Sequence, residues 1–199
     1  MKKDMKTKIL TLIFLLTTTL TFAQQTSEHL LFKGVPIDGT LDNYVSKMKQ
    51  NGFTELSKED GTALLSGDFA GYKDCIIGVS TLKQKDLVCK IGVFFPKKDT
   101  WSTLLGNYSD LKEMLTEKYG KPSDIVEKFD TPYSQPKDDN AKMYEVGFDR
   151  CKYSSIWKTE KGEIQLSIDH IKFTSYFVKL AYFDNINSKI IKAKAKGDL

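Results

Sequence analysis

His170 follows Asp169 directly, and Cys75, Cys89, Cys151 and His29 complete the set of side chains best suited to nucleophilic or acid–base work. An Asp-His pair suggests a catalytic dyad. Adjacent residues on a regular strand point to opposite faces, however, so a strand at this position keeps the two side chains apart. A partly buried structural role is the expectation for His170. His29 stands near the expected start of the mature chain, where order is least expected. With so few histidines, neither a histidine-based metal site nor a Ser-His-Asp triad is expected. The tripeptide Gly78-Val79-Ser80 begins like an esterase elbow but continues Thr81-Leu82 within an apolar strand pattern. Asp130, Asp138, Asp139 and Asn140 could invite calcium, but their spacing is not that of an EF-hand loop. No phosphate-binding, dinucleotide-binding or zinc-protease motif is present. No catalytic residue, metal or cofactor is therefore assigned. A carboxylate pair for glycoside hydrolysis is the one chemistry that leaves no mark at the level of sequence.

The elements that would position these residues follow from an internal repeat. Residues 72–95 align without a gap on residues 161–184. Cys75, Ile77 and Val79 fall on Ile164, Leu166 and Ile168; Cys89, Ile91 and Val93 fall on Val178, Leu180 and Tyr182. Each half alternates apolar and polar residues, pauses at a polar turn (Lys83–Asp86 or Lys172–Ser175), and resumes, which predicts a β-hairpin. An earlier strand precedes each hairpin, at about Thr62–Phe69 and Lys152–Lys158.

Helices precede each meander. Thr40 caps one that carries Leu41, Tyr44, Val45 and Met48 on a stripe, with Gly52 beyond its end. Asp99 or Thr100 caps a longer one, with Trp101, Leu104, Leu105, Tyr108, Leu111 and Leu115 on its apolar face and a stop at Gly120 and Pro122. Ser123–Phe129 reads as a short helical turn, Asp130–Asn140 as a loop, and Asp139–Phe148 as a short helix. The predicted fold is α+β: two tandem α-βββ repeats forming an antiparallel sheet with helices packed on one face. The half-repeats run from about residue 30 to 96 and from about 97 to 187, within a single α+β domain over residues 24–199.

The repeat also sorts the cysteines. Cys75 and Cys89 occupy positions filled by Ile164 and Val178, so they read as small core residues. In a tight hairpin they stand too far apart to bridge. Cys151 is the candidate partner, and a bridge between Cys75 and Cys151 is the pairing that an oxidising compartment would favour. No histidine accompanies any of the three as a catalytic thiol requires.

The opposite parity of the two hairpins holds Ile76, Gly78, Ser80, Val88, Lys90, Gly92 and Phe94, and Gln165, Ser167, Asp169, Phe177, Lys179, Ala181 and Phe183. Polar residues are normal on an open face. The aromatic residues here, with small residues between them, suit a binding surface, and Val88, Lys90, Phe94, Phe177, Lys179 and Phe183 are the candidate contacts. The competing reading is that a helix or the other half of the chain covers them.

Residues 1–23 read as a secretory leader. Lys2, Lys3, Lys6 and Lys8 precede an apolar run from Ile9, and Thr21 and Ala23 flank a cut before Gln24. The leader holds four of the 30 basic and one of the 26 acidic residues, leaving 26 against 25. The mature chain is thus near neutral, and nucleic acid is not an expected partner. No later stretch is apolar enough to span a membrane. Lys189, Lys192, Lys194 and Lys196 form a basic tail expected to fray.

Tandem helix-plus-meander halves resemble the architecture of the β-lactamase inhibitor protein, and the chain is similar to small exported bacterial proteins of that plan. The resemblance rests on element order and the repeat, and implies a binding scaffold; fold alone does not assign function. The expected function is an exported, non-enzymatic binding module, periplasmic or secreted. Its partner would be another protein or an extended polymer, met inhibitor-like through the sheet face. The alternative is an envelope hydrolase with a carboxylate-based site.

Overall fold

Among the described residues there are ten strands and four helices. The computed structural model describes residues 27–197 apart from residues 83–85, 133 and 174; the leader over residues 1–23 lies outside the described residues. In chain order the elements are β1 (Leu31–Phe32), β2 (Val35–Pro36), α1 (Leu41–Gln50), β3 (Thr54–Glu59), β4 (Thr62–Phe69), β5 (Tyr72–Leu82), β6 (Leu87–Phe94), α2 (Trp101–Tyr119), β7 (Asp124–Phe129), α3 (Asp139–Gly147), β8 (Cys151–Lys158), β9 (Gly162–Ile171), β10 (Ser175–Asp184) and α4 (Asn185–Gly197).

The helix starts are chemical. Thr40, Thr100 and Asp138 each accept a backbone N–H from the first turn of α1, α2 and α3. Asp184 does the same for α4 through the N–H of Asn187. The helical stripes expected from spacing are the buried ones: Leu41, Tyr44, Val45 and Met48 on α1, and Trp101, Leu104, Tyr108, Leu111 and Leu115 on α2.

Eight strands form one antiparallel sheet in the order β3-β4-β5-β6-β10-β9-β8-β7; β1 and β2 make a separate hairpin. The last strand of the chain therefore lies in the middle, beside β6. Alternate strand residues, among them Leu65, Ile77, Ile91, Val93, Ile164, Leu166, Val178 and Leu180, share a buried core with the helical stripes. The α+β class and the antiparallel sheet are as expected, but the sheet has eight strands where two three-stranded meanders were expected.

Three local expectations give way, and one edge strand is added that the pattern did not indicate. Ser123–Phe129 is not a helical turn: Asp124–Phe129 is edge strand β7, paired with β8 from Asp124 opposite Ile156 to Phe129 opposite Cys151. Thr54–Glu59 adds the other edge, with a bulge between Glu55 and Ser57. Both edges are charge-rich, which discourages further pairing. Their polar sequences carry little alternation because both faces of each strand are largely exposed. The C-terminal tail is not frayed through its length, because Asp184 caps it as α4. Lys189 and Lys196 are exposed there, and the side chains of Lys192 and Lys194 lie outside the described residues. His29, finally, is tied down. Its Nδ1 stands 3.1 Å from Oδ1 of the fully buried Asp184, which also accepts the Leu30 N–H.

Candidate functional site

The sheet face away from the helical stripes carries an apolar groove. At its centre the ring of Phe94 lies over two glycines. Gly78 and Gly92 are cross-strand partners on β5 and β6, and a Cβ on either would meet Phe94 Cε2 at 3.5 Å. The small residues of this face thus leave room for the Phe94 ring. Phe177 on β10 meets Phe94 edge-on, with centroids 5.7 Å apart. Leu64, Ile76 and Ile171 extend the apolar lining, and the groove encloses about 430 Å³ with Asp74 and Lys97 at its rim. Leu64 is 37% and Ile171 57% exposed.

The six expected contact residues separate. Phe94 and Phe177 line the groove, though Phe177 is only 5% exposed. Lys90 sits over the Phe183 ring at 5.0 Å, further along the same face. Lys179 pairs with Asp169. Val88 does not belong to this face. The register between β5 and β6 shifts from Ser80 opposite Lys90 to Thr81 opposite Val88. Cys89 is the extra residue, so Val88 turns inward and is fully buried in the core. Leu64 and Ile171 were missed by sequence reasoning. Leu64 was findable, since it alternates with Ala63 and Leu65 on β4. Ile171 was findable as well, since it continues the outward parity of Gln165, Ser167 and Asp169 on β9.

The Cys75–Cys151 bridge does not form, and all three cysteines are free thiols. Cys75 lies on β5 and Cys151 on β8, with β6, β10 and β9 between them. Four strand spacings amount to about 19 Å, well beyond disulfide reach. Burial pushes the Cys75 thiol up to about 11 and the Cys151 thiol up to about 12, and raises that of Cys89. None is an activated nucleophile.

A second, polar cleft of about 510 Å³ lies where α3 meets β8 and β9, lined by Asp130, Asp149, Cys151, Ser154, Asp169 and His170 among others. The adjacent Asp169 is not the ring partner of His170: its carboxylate accepts the His170 backbone N–H and faces Lys179. Instead Nε2 of His170 stands 3.1 Å from Asp149 Oδ1, and Nδ1 stands 2.7 Å from the Lys172 carbonyl oxygen. Both ring nitrogens are thereby committed, so in this arrangement neither activates a neighbouring serine. Among the described residues no cluster of three or more His, Cys, Asp or Glu could hold a metal ion.

A third hollow of about 370 Å³, between Leu30, Tyr119 and Lys161, involves none of the expected site residues. Among the described residues no helix is long and apolar enough to cross a membrane. Comparison with protein-family models, with curated proteins and with solved structures found no match.

Proposed function

We propose that this chain is an exported, non-enzymatic binding module that receives an apolar segment of another protein on its open sheet face. The observation that supports this most directly is the Phe94–Phe177 pair beside exposed Leu64 and Ile171, on the face away from the helical stripes. Aromatic anchors with an apolar rim suit protein recognition better than they suit solvent. The tandem plan belongs to the same reading. Lys90 pairs with Phe183, Gly92 with Ala181 and Phe94 with Lys179. Under the sequence repeat, Lys90 corresponds to Lys179 and Phe94 to Phe183. Equivalent positions are therefore exchanged about the Gly92–Ala181 pair, as two related halves joined edge to edge would require. That arrangement is in keeping with the resemblance to the β-lactamase inhibitor architecture.

The test is affinity capture from the native envelope with residues 24–199 as bait, run beside a Leu64→Glu/Ile171→Glu variant. Both positions are exposed, so the variant should keep its melting temperature and lose the captured partner. Equal capture by both proteins would remove the groove from the reading.

The polar cleft favours a second reading, a hydrolase using its carboxylates, because Asp130, Asp149 and Asp169 line one hollow. Hydrolysis of a glycoside or peptide panel that disappears in Asp149→Asn or Asp169→Asn would establish it in place of the first.

A further inference from the structure

His170 faces acceptors with both ring nitrogens. The Lys172 carbonyl and the Asp149 carboxylate accept and cannot donate. A neutral imidazole has one N–H, so it can satisfy only one of them; the imidazolium satisfies both. The ring is 14% exposed while Asp149 is 84% exposed, so the contact closes a partly covered site from outside.

The two acceptors belong to different turns. Asp149 follows α3 and Lys172 follows β9, and both hold positive φ, 58° and 56°. The next residue after Lys172 is Phe173. Its ring presses on Gly147, where a Cβ would stand 2.7 Å from Phe173 Cδ1, and meets Phe148 edge-on at 5.0 Å. Phe148 also stacks with Tyr144 and Arg150. Three exposed aromatics are thus gathered where the histidine joins the turns.

The charged groups around the ring favour its protonated form. Asp149 faces it from the turn after α3. From its own strand comes Asp169, whose charge is offset by Lys179 of β10. The Tyr176 ring of β10 lies 6.3 Å away, and Asp130, Cys151 and Lys152 line the same cleft. Burial opposes the charge, but the Lys172 carbonyl and the Asp149 and Asp169 carboxylates outweigh it and lift the pKa above the ordinary histidine value.

We infer that His170 is a pH-operated latch: as imidazolium it ties the turn at Asp149 to the turn at Lys172, and loss of its proton frees Phe173 from Gly147. The same turn carries Ile171, so the latch also steadies one wall of the apolar groove; that consequence rests on the binding reading, whereas the latch does not.

The experiment is an NMR titration of the full chain from about pH 5 to about pH 8.5. It follows the His170 ring and the Gly147 Hα, which the Phe173 ring current displaces. His170 should titrate above the ordinary histidine value of about 6.5. The Gly147 Hα should move with the same midpoint, towards an unshifted position as pH rises. Asp149→Asn, at an exposed site, should lower the His170 midpoint. His170→Gln should abolish the pH response at Gly147. A His170 midpoint at or below about 6.5, or a Gly147 Hα that stays fixed while His170 titrates, would overturn the latch.

Discussion

Gly92 faces Ala181 across the seam where β6 pairs with β10, and the flanking pairs on either side are exchanged about that point. Small residues in the sheet do not all serve the same purpose. A Cβ on Gly92 would find only the Phe94 ring, at 3.5 Å, an ordinary contact. A Cβ on Gly162 would stand 2.2 Å from the Phe183 carbonyl oxygen and 2.9 Å from Leu30 Cδ2. Gly92→Ala should change stability by less than about 1 kcal/mol, while Gly162→Ala should cost about 2–3 kcal/mol because backbone has to move. Thermal unfolding reads the difference, as a fall of roughly 5–10 °C in Tm for Gly162→Ala alone.

Tyr108 and Ser155 share a buried hydrogen bond of 2.7 Å between α2 and β8. Removing one partner strands the other away from water. Ser155→Ala should cost about 1–3 kcal/mol, and adding Tyr108→Phe should recover much of it, because an apolar pair leaves nothing unsatisfied. Denaturant unfolding of the two single variants and the double variant closes the cycle. Simple additivity of the two losses would contradict the coupling.

The thiols supply a third prediction. With Cys75 at about 11 and Cys151 at about 12, thiolate at pH 8 is roughly one part in a thousand and one in ten thousand. The native protein should resist an aromatic disulfide reagent at that pH. Three thiols should react at once in denaturant without prior reduction. A count of one would reveal a disulfide, against the strand order described above.

Stability should also depend on pH through His170. Its folded pKa is raised. The stabilisation is therefore complete below the unfolded value of about 6.5 and is lost as pH rises through the higher folded midpoint. Asp149 is largely exposed, so the gain should stay below about 1 kcal/mol. Urea midpoints of the parent chain and His170→Gln should converge above the folded midpoint and separate below it.

Most of the ladder of elements was legible locally. Thr62–Phe69 emerged as a strand and Leu41 to Met48 as a helical stripe because alternation and capping depend on residues a few positions apart. The edge strand Asp124–Phe129 was not legible, since both of its faces are largely exposed and no apolar alternation marks it. The candidate surface was half legible. Phe94 and Phe177 were visible by parity, but one extra residue at Cys89 turned Val88 into the core, and nothing local announces a bulge of that kind.

The two hairpins, the helical faces and the small residues beneath Phe94 rest on near neighbours in the chain, so residue order specifies them. The return of β10 to lie beside β6 is instead a choice made by the folded whole. That choice depends on which sheet edges can bury the most apolar surface together, a property of the whole chain. It set Cys75 and Cys151 four strands apart, placed Phe177 against Phe94, and left His170 to find its carboxylate in Asp149 rather than in its neighbour Asp169.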